Sequence, residues 1–311
     1  MQCTLMLPLV SYFILTNGRQ CYLAREVCCQ MSTGSAQSLI TNFTNFPQVM
    51  METFNIPALF TGIQGVLSLY AAGRQTGISV SIGGQTTQIT PVDKGYAIPG
   101  ASICLKLGGQ DLRLNLAKLL TESGSDIGNY GNFLDHAQNI LEKFCFVALD
   151  VEQEMESLPK KAKVEKESYE LPGGEIITIQ DEKFKCPELL FKPSLLGNLN
   201  ENNIKEGIHK LCFNTIAKCD SEIQPLLYEN IVLSGGCSVL PGLSARLEKD
   251  IKGLAPAGTG VKVIASDHRK NSAWIGGSIL ASLATFEDLW ITKEQYKEEG
   301  PSVIHKCPST L

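Results

Sequence analysis

The chain has 311 residues, 43% hydrophobic and 19% charged, with a formal net charge of −5. That is the make-up of a globular protein with one large or two modest cores, and it excludes a disordered polymer. No basic stripe accompanies this balance, so nucleic acid is not expected as a direct partner, and no apolar run is long enough to span a membrane.

The 11 cysteines are an odd number. Several sit inside apolar runs, such as Phe144-Cys145-Phe146 and Leu211-Cys212-Phe213. Buried thiols in a reducing, cytoplasmic compartment fit better than a disulfide framework. Cys28 and Cys29 are adjacent and no paired zinc spacing occurs, so no metal site is expected.

At the N-terminus, Leu5 to Leu15 is an apolar run interrupted by Pro8. No lysine or arginine precedes it and no small-residue cleavage site follows, so it reads as a buried or irregular extension rather than a signal peptide. From Asn42 onward the pattern is regular. Pro47 to Asn55 predicts a helix, Pro57 to Ile63 a short apolar strand, and Gln64 to Ala72 a helix closed by Gly73. Gly77 to Pro91 predicts a β-hairpin, with Ile78, Val80 and Ile82 alternating and Gly83-Gly84 at the turn. Leu112–Thr121 and Leu134–Leu149 predict amphipathic helices, and Ser157 to Glu167 a solvated Lys/Glu-rich connection.

Glu175 to Ile179 predicts a strand entered by the turn Pro172-Gly173-Gly174, followed by a loop over Lys192 to Asn203 and a helix over Glu206 to Lys218. Asn230 to Ser234 predicts a buried strand ended by Gly235-Gly236, Pro241 to Lys252 a helix, and Gly260 to Ala265 one more strand. Asn271 or Ser272 then caps a helix carrying Gly276 and Gly277 in mid-course. Each such glycine costs about 1 kcal/mol relative to alanine, so another backbone or a ligand must come close there. Strands alternating with helices, with glycine turns after the strands, indicate an α/β architecture.

Two of those turns have the form of phosphate cradles. In Ser234-Gly235-Gly236-Cys237 a strand runs into glycines and then toward a helix, where backbone N–H groups favour an anion. Ser81-Ile82-Gly83-Gly84-Gln85 is the second, and tight packing explains either turn equally well without a ligand.

From about Asn42 to Cys307 the chain resembles actin and actin-related proteins. The matching segments include Met51-Glu52-Thr53-Phe54-Asn55, Val66-Leu67-Ser68-Leu69-Tyr70-Ala71, Val147-Ala148-Leu149-Asp150, Ser168-Tyr169-Glu170-Leu171-Pro172, Leu233-Ser234-Gly235-Gly236, and Arg269 through Leu283. The resemblance implies the fold shared with sugar kinases and large heat-shock ATPases, two α/β lobes around a nucleotide cleft. It covers one complete large lobe and an incomplete second one, the family's N-terminal segment having no counterpart. The implied division is a leader at 1–40, an inner small-lobe unit from 41–71 and 272–311, an inner large-lobe unit from 72–107 and 196–271, and an outer unit at 108–195.

The family's cofactor, ATP or ADP with Mg²⁺, maps onto Gly83, Gly84, Gly109, Glu142, Gly235, Gly236 and Lys270, with Gln64 positioning the attacking water. The match is degenerate. Ser81 stands where the family has an aspartate near the Mg²⁺-bound waters, Gln88 replaces its histidine, and Leu141 replaces the lysine of the adenine pocket. Little or no hydrolysis is therefore expected. A partner cleft maps onto Tyr70, Ala71 and Gly73 on one side and Ile279, Leu280, Leu283 and Thr285 on the other.

The implied role is a divergent cytoskeletal or scaffold component, binding actin or actin-binding proteins in the cytoplasm. The alternatives are a working ATPase of this fold, in which residues 1–40 supply an unrecognised strand and phosphate turn, and a truncated or mis-assembled gene product. Filament assembly would lack one longitudinal contact, and loss of the family's first strands would leave a sheet edge bare and the isolated chain prone to aggregate unless a partner or the Leu5–Leu15 run covers that face.

Overall fold

A computed structural model of the chain describes residues 10–16, 20–24, 48–125, 133–161, 167–171, 174, 176–199 and 204–306. The first sheet begins with the strands β1 (Val10–Thr16) and β2 (Gln20–Ala24), followed by a π-helical turn at Val49–Thr53, β3 (Ala58–Ile63) and α1 (Gln64–Ala71). Then come β4 (Gly77–Ile82), β5 (Thr87–Asp93), β6 (Tyr96–Ala97), β7 (Ile103–Leu105), α2 (Gly109–Glu122), α3 (Phe133–Phe144) and α4 (Val151–Lys161). A small hairpin of β8 (Glu167–Glu170) and β9 (Ile176–Ile179) precedes α5 (Ile208–Ala217), α6 (Gln224–Glu229), β10 (Ile231–Ser234) and α7 (Leu243–Leu254). The described chain closes with β11 (Val263–Ile264), α8 (Ser272–Ala281), β12 (Ile291–Thr292) and α9 (Lys293–Glu299).

The larger sheet has six strands in the order β11-β10-β4-β5-β6, with β7 also on β5. Its β10 is parallel to β4 and β11, while β4, β5, β6 and β7 pair antiparallel. The expected hairpin forms, with Ile78, Val80 and Ile82 fully buried. Ser79 is buried as well, so β4 is covered on both faces, as a central strand in an α/β layer must be. The main core fills the space between this sheet and α2, α3, α5 and α7, with Leu112, Leu116, Ile140, Ile208 and Leu247 in it.

The smaller sheet runs β12-β3-β1-β2. The leader, expected as a buried or irregular extension, supplies two of its strands. Its β1 lies antiparallel to β3, with Val10 opposite Ile63 and Leu15 opposite Ala58. The described part of the Leu5–Leu15 run therefore pairs along the edge of β3, and the outer edge of the sheet passes to β2.

Several boundaries move for physical reasons. The helix expected to reach Leu149 ends at Phe144. Residues 145–148 cross instead between two neighbours, where the Phe146 N–H donates to the Lys183 carbonyl (3.1 Å) and the Val147 N–H to that of Pro241 (2.8 Å). Ser157–Lys161 belongs to α4 rather than to a connection, and Glu167 to β8; residues 162–166 lie outside the described set. The Asp150 carboxylate caps α4, accepting from the N–H groups of Glu152 (3.1 Å) and Gln153 (3.3 Å). The Gln153 N–H above all, helped by the Lys249 and Arg246 charges, holds the Asp150 pKa below its usual range. Because the folded pKa is depressed, this contribution is present at neutral pH and is lost as pH falls through the lowered value.

The strand expected over Gly260–Ala265 shortens to Val263–Ile264. The stretch read as a loop from Lys192 forms short 3₁₀ turns at Pro193–Leu199, broken where Gly197 takes φ 55°. Residues 200–203 and the turn at 172–173 lie outside the described set, as does Pro47 at the start of the expected first helix. Among the described residues no helix is long and apolar enough to cross a membrane.

Candidate functional site

Gly276, the first of the paired glycines of α8, is explained by packing. A Cβ on Gly276 would sit 1.7 Å from the Leu67 carbonyl oxygen, so α8 crosses α1 backbone to backbone. The crossing joins the smaller sheet's elements to the helix that lies on β4 and β5.

Where the β4–β5 turn, the start of α2, α3 and the turn after β10 converge, they leave a cavity of about 560 Å³. Gly84, Gly109, Glu142, Gly236 and Lys270 all line it, so five of the seven residues expected to contact a nucleotide are brought together. Gly83 and Gly235 stand immediately behind, and most of these glycines answer to close packing. The Gly109 N–H donates to the Gly83 carbonyl (3.0 Å), and the Gln110 N–H to that of Gly84 (2.6 Å). The Gly83 N–H is itself taken by Thr86 and the Gly235 N–H by Arg269. A Cβ on Gly235, at φ 89°, would strike the Ile82 carbonyl oxygen at 2.4 Å, and one on Gly109 the Cys237 sulfur at 2.7 Å. Gly84 and Gly236 differ: nothing lies within 4 Å of an added Cβ. They are the two positions where a ligand can come against bare backbone.

Cys237 faces the same cavity, its thiol within 3.4 Å of the Gly83 carbonyl. Burial raises its pKa to about 11, with the Arg113 charge opposing and that of Glu142 adding, so it is a neutral thiol at pH 7. The Gln138 side chain donates to the Glu142 carboxylate. Arg113 on α2 completes the polar wall and was not among the expected residues; nothing local in the sequence separates it from a surface arginine.

The positions expected to serve hydrolysis do not line this cavity. Ser81 and Gln88 are directly opposite each other in the β4–β5 ladder, and Ser234 of β10 is the parallel partner of Ser81. Gln64 opens α1, whose first turn packs on β5: a Cβ on Gly65 would lie 2.7 Å from that of Thr90, two residues from Gln88. Gln64 does not line the cavity.

A second cavity, about 550 Å³, opens between α1, the Asp93–Pro99 segment and α8. Of the expected partner-cleft residues, Tyr70 and Leu280 line it, while Ala71, Gly73, Ile279, Leu283 and Thr285 do not. Ile279 and Leu283 are exposed at 44% and 51%. The Tyr70 hydroxyl donates to the Gly95 carbonyl (3.3 Å), and burial, with Tyr96 adding, raises its pKa. The lip formed by Lys94, Gly95 and Tyr96 was missed, although Lys94-Gly95 takes positive φ as a turn of the Asp-x-Gly kind does.

The family model described as Actin matches residues 29–308, nine-tenths of the chain, and the chain belongs to the actin family.

Proposed function

We propose that this actin-family chain is a divergent cytoskeletal or scaffold component that binds a nucleotide without turning it over. The observation that carries the reading is the Ser81–Gln88 pair. The resemblance calls for an aspartate and a histidine at these facing positions, and this chain sets two uncharged side chains there. A serine hydroxyl gives a hard divalent cation no charge, and a glutamine amide orients water without accepting its proton near neutral pH. The residues fit a nucleotide better than its metal, so no hydrolytic step is assigned to them.

The fit to the nucleotide itself rests on chain groups at stated places. Gly84 and Gly236 admit phosphate oxygens against the backbone, Lys270 offers a cation, and Glu142 offers a carboxylate for ribose hydroxyls. The leader bears on the alternative of a complete phosphate site. Because β1 is antiparallel to β3, the β1–β2 turn end, where Thr16 faces Gln20, lies beside Ala58. Gln64 follows Ile63 at the opposite end of β3. The paired end of β1 and β2 at Thr16 and Gln20 thus lies away from Gln64.

On this reading 41–71 and 272–311 form one unit through the α1–α8 crossing, 72–107 with 196–271 a second, and 108–195 a third. The cavity lined by Tyr70 and Leu280, the two of the seven expected cleft residues that meet there, takes an amphipathic helix of an actin-binding partner in the cytoplasm.

Thermal unfolding tests the nucleotide half. Millimolar ATP or ADP is expected to raise the midpoint, since a ligand bound only to the folded state stabilises by RT ln(1 + [L]/Kd). The rise is expected to be the same in EDTA as in Mg²⁺. A shift that appears only with Mg²⁺ contradicts the reading, and no shift with either nucleotide removes it.

A further inference from the structure

The second cavity has a lip whose charge the partner reading leaves unexplained. Its walls are mostly apolar, with Phe60, Ile63, Val66, Leu280 and Leu289 among them, and Lys94 is the one charged residue that lines it. The backbone of the lip is fixed. The Lys94 N–H donates to the Thr76 hydroxyl (3.0 Å), the Gly95 N–H to the Gln75 carbonyl (2.7 Å), and the Gly95 carbonyl accepts from Tyr70 (3.3 Å). These bonds hold residues 74–76 against the lip, which sets Arg74, a second exposed cation, beside it. Neither cation has an ion-pair partner among the described residues. Of the carboxylates nearest in sequence, Asp93 is taken by the Thr76 hydroxyl (3.0 Å), and Asp288 adjoins Leu289 on the α8 side. Tyr96, Ile279 and Leu283 add exposed apolar surface.

We propose that this cleft selects a partner helix that carries carboxylates beside its apolar stripe; the proposal rests on the reading of the cavity as a partner cleft. An apolar stripe fills the hollow and by itself gives no preference among amphipathic helices. Unpaired cations at the rim supply one, because edge charges attract the opposite sign, repel the like, and steer encounter. The chain as a whole carries −5 and would on that account draw a basic peptide. A preference for an acidic one therefore has to come from the lip.

The test is fluorescence anisotropy on two synthetic helical peptides titrated with the full chain. They share one apolar stripe, flanked by glutamates in the first and by lysines in the second. At low ionic strength the glutamate peptide is expected to bind about fivefold tighter or more, the reach of two exposed charge pairs. The ratio is expected to fall toward one in about 1 M salt, where the Debye length is about 3 Å. Arg74→Glu combined with Lys94→Glu is expected to reverse the preference. Equal or tighter binding of the lysine peptide to the unmodified chain overturns the role of the lip while leaving the cleft reading intact. A preference that the double variant leaves unchanged does the same. Neither peptide binding at millimolar concentration overturns both. If the variant does not fold, the preference of the unmodified chain and its salt dependence decide.

Discussion

Arg246→Met is expected to lower the stability of the folded chain by about 3–5 kcal/mol, the cost of removing one partner of a buried ion pair. Arg246 on α7 donates from Nη1 (3.0 Å) and Nη2 (3.2 Å) to the two carboxylate oxygens of Glu188, and from Nε to Asp250 (2.8 Å). Nη1 also donates to the Ala148 carbonyl (2.9 Å), and the guanidinium lies 4.7 Å over the Phe191 ring. The two side chains are 11% and 5% exposed. Burial alone would lower the Arg246 pKa; the bonds and charges of Glu188 and Asp250 outweigh it and raise it. With the arginine gone, Glu188 keeps only Lys192 among the described residues, 3.4 Å away and 61% exposed, which cannot replace a planar fork. Urea unfolding measures the loss. The double variant Arg246→Met with Glu188→Leu is expected to recover part of it, because Glu188 then leaves no stranded charge while Asp250, 19% exposed, still loses its partner. A single-variant loss below about 1 kcal/mol, the range of exposed pairs, would mean the network is solvated after all.

Gly276→Ala is expected to cost about 3 kcal/mol, the upper end of ordinary overpacking. The added methyl meets the Leu67 carbonyl carbon at 2.6 Å as well as its oxygen, and backbone atoms inside α1 cannot step aside as a side-chain tip can. Relief requires the two helices to separate, which pulls α1 away from β4 and β5 or α8 away from Leu67. Gly236→Ala is the matched control: its Cβ meets nothing within 4 Å, so the fold is expected to keep its stability within about 0.5 kcal/mol. Unchanged or raised stability in Gly276→Ala, the gain of about 1 kcal/mol that helix propensity alone gives, would show that the crossing does not set the cost there.

What could be read in advance divides along a physical line. The β4–β5 hairpin, β10 and α1 were legible because alternation, glycine turns and apolar runs act locally. The end of α3 was not, since helix periodicity continues through Cys145 and Val147 while the distant carbonyls of Lys183 and Pro241 capture the N–H groups of Phe146 and Val147. The start of α4 was legible and overlooked: Asp150 followed by Gln153 is a capping pair. Thr292 and Gln295 signal α9 in the same way, each side chain bonding the other's backbone N–H. The β1–β2 strands carry apolar and β-branched residues, but their antiparallel register beside β3 is a tertiary fact. So is the convergence of Arg113 and Glu142 on Cys237, which no spacing along the chain announces.

The central claim is nucleotide held without turnover, and phosphate release tests it most directly. Purified chain incubated with Mg-ATP is expected to release no phosphate above a protein-free control, and Gln64→Ala to change nothing. Mg²⁺-stimulated release from the unmodified chain that Gln64→Ala abolishes would contradict the account, because it would place a working water-positioning residue beside Ser81 and Gln88.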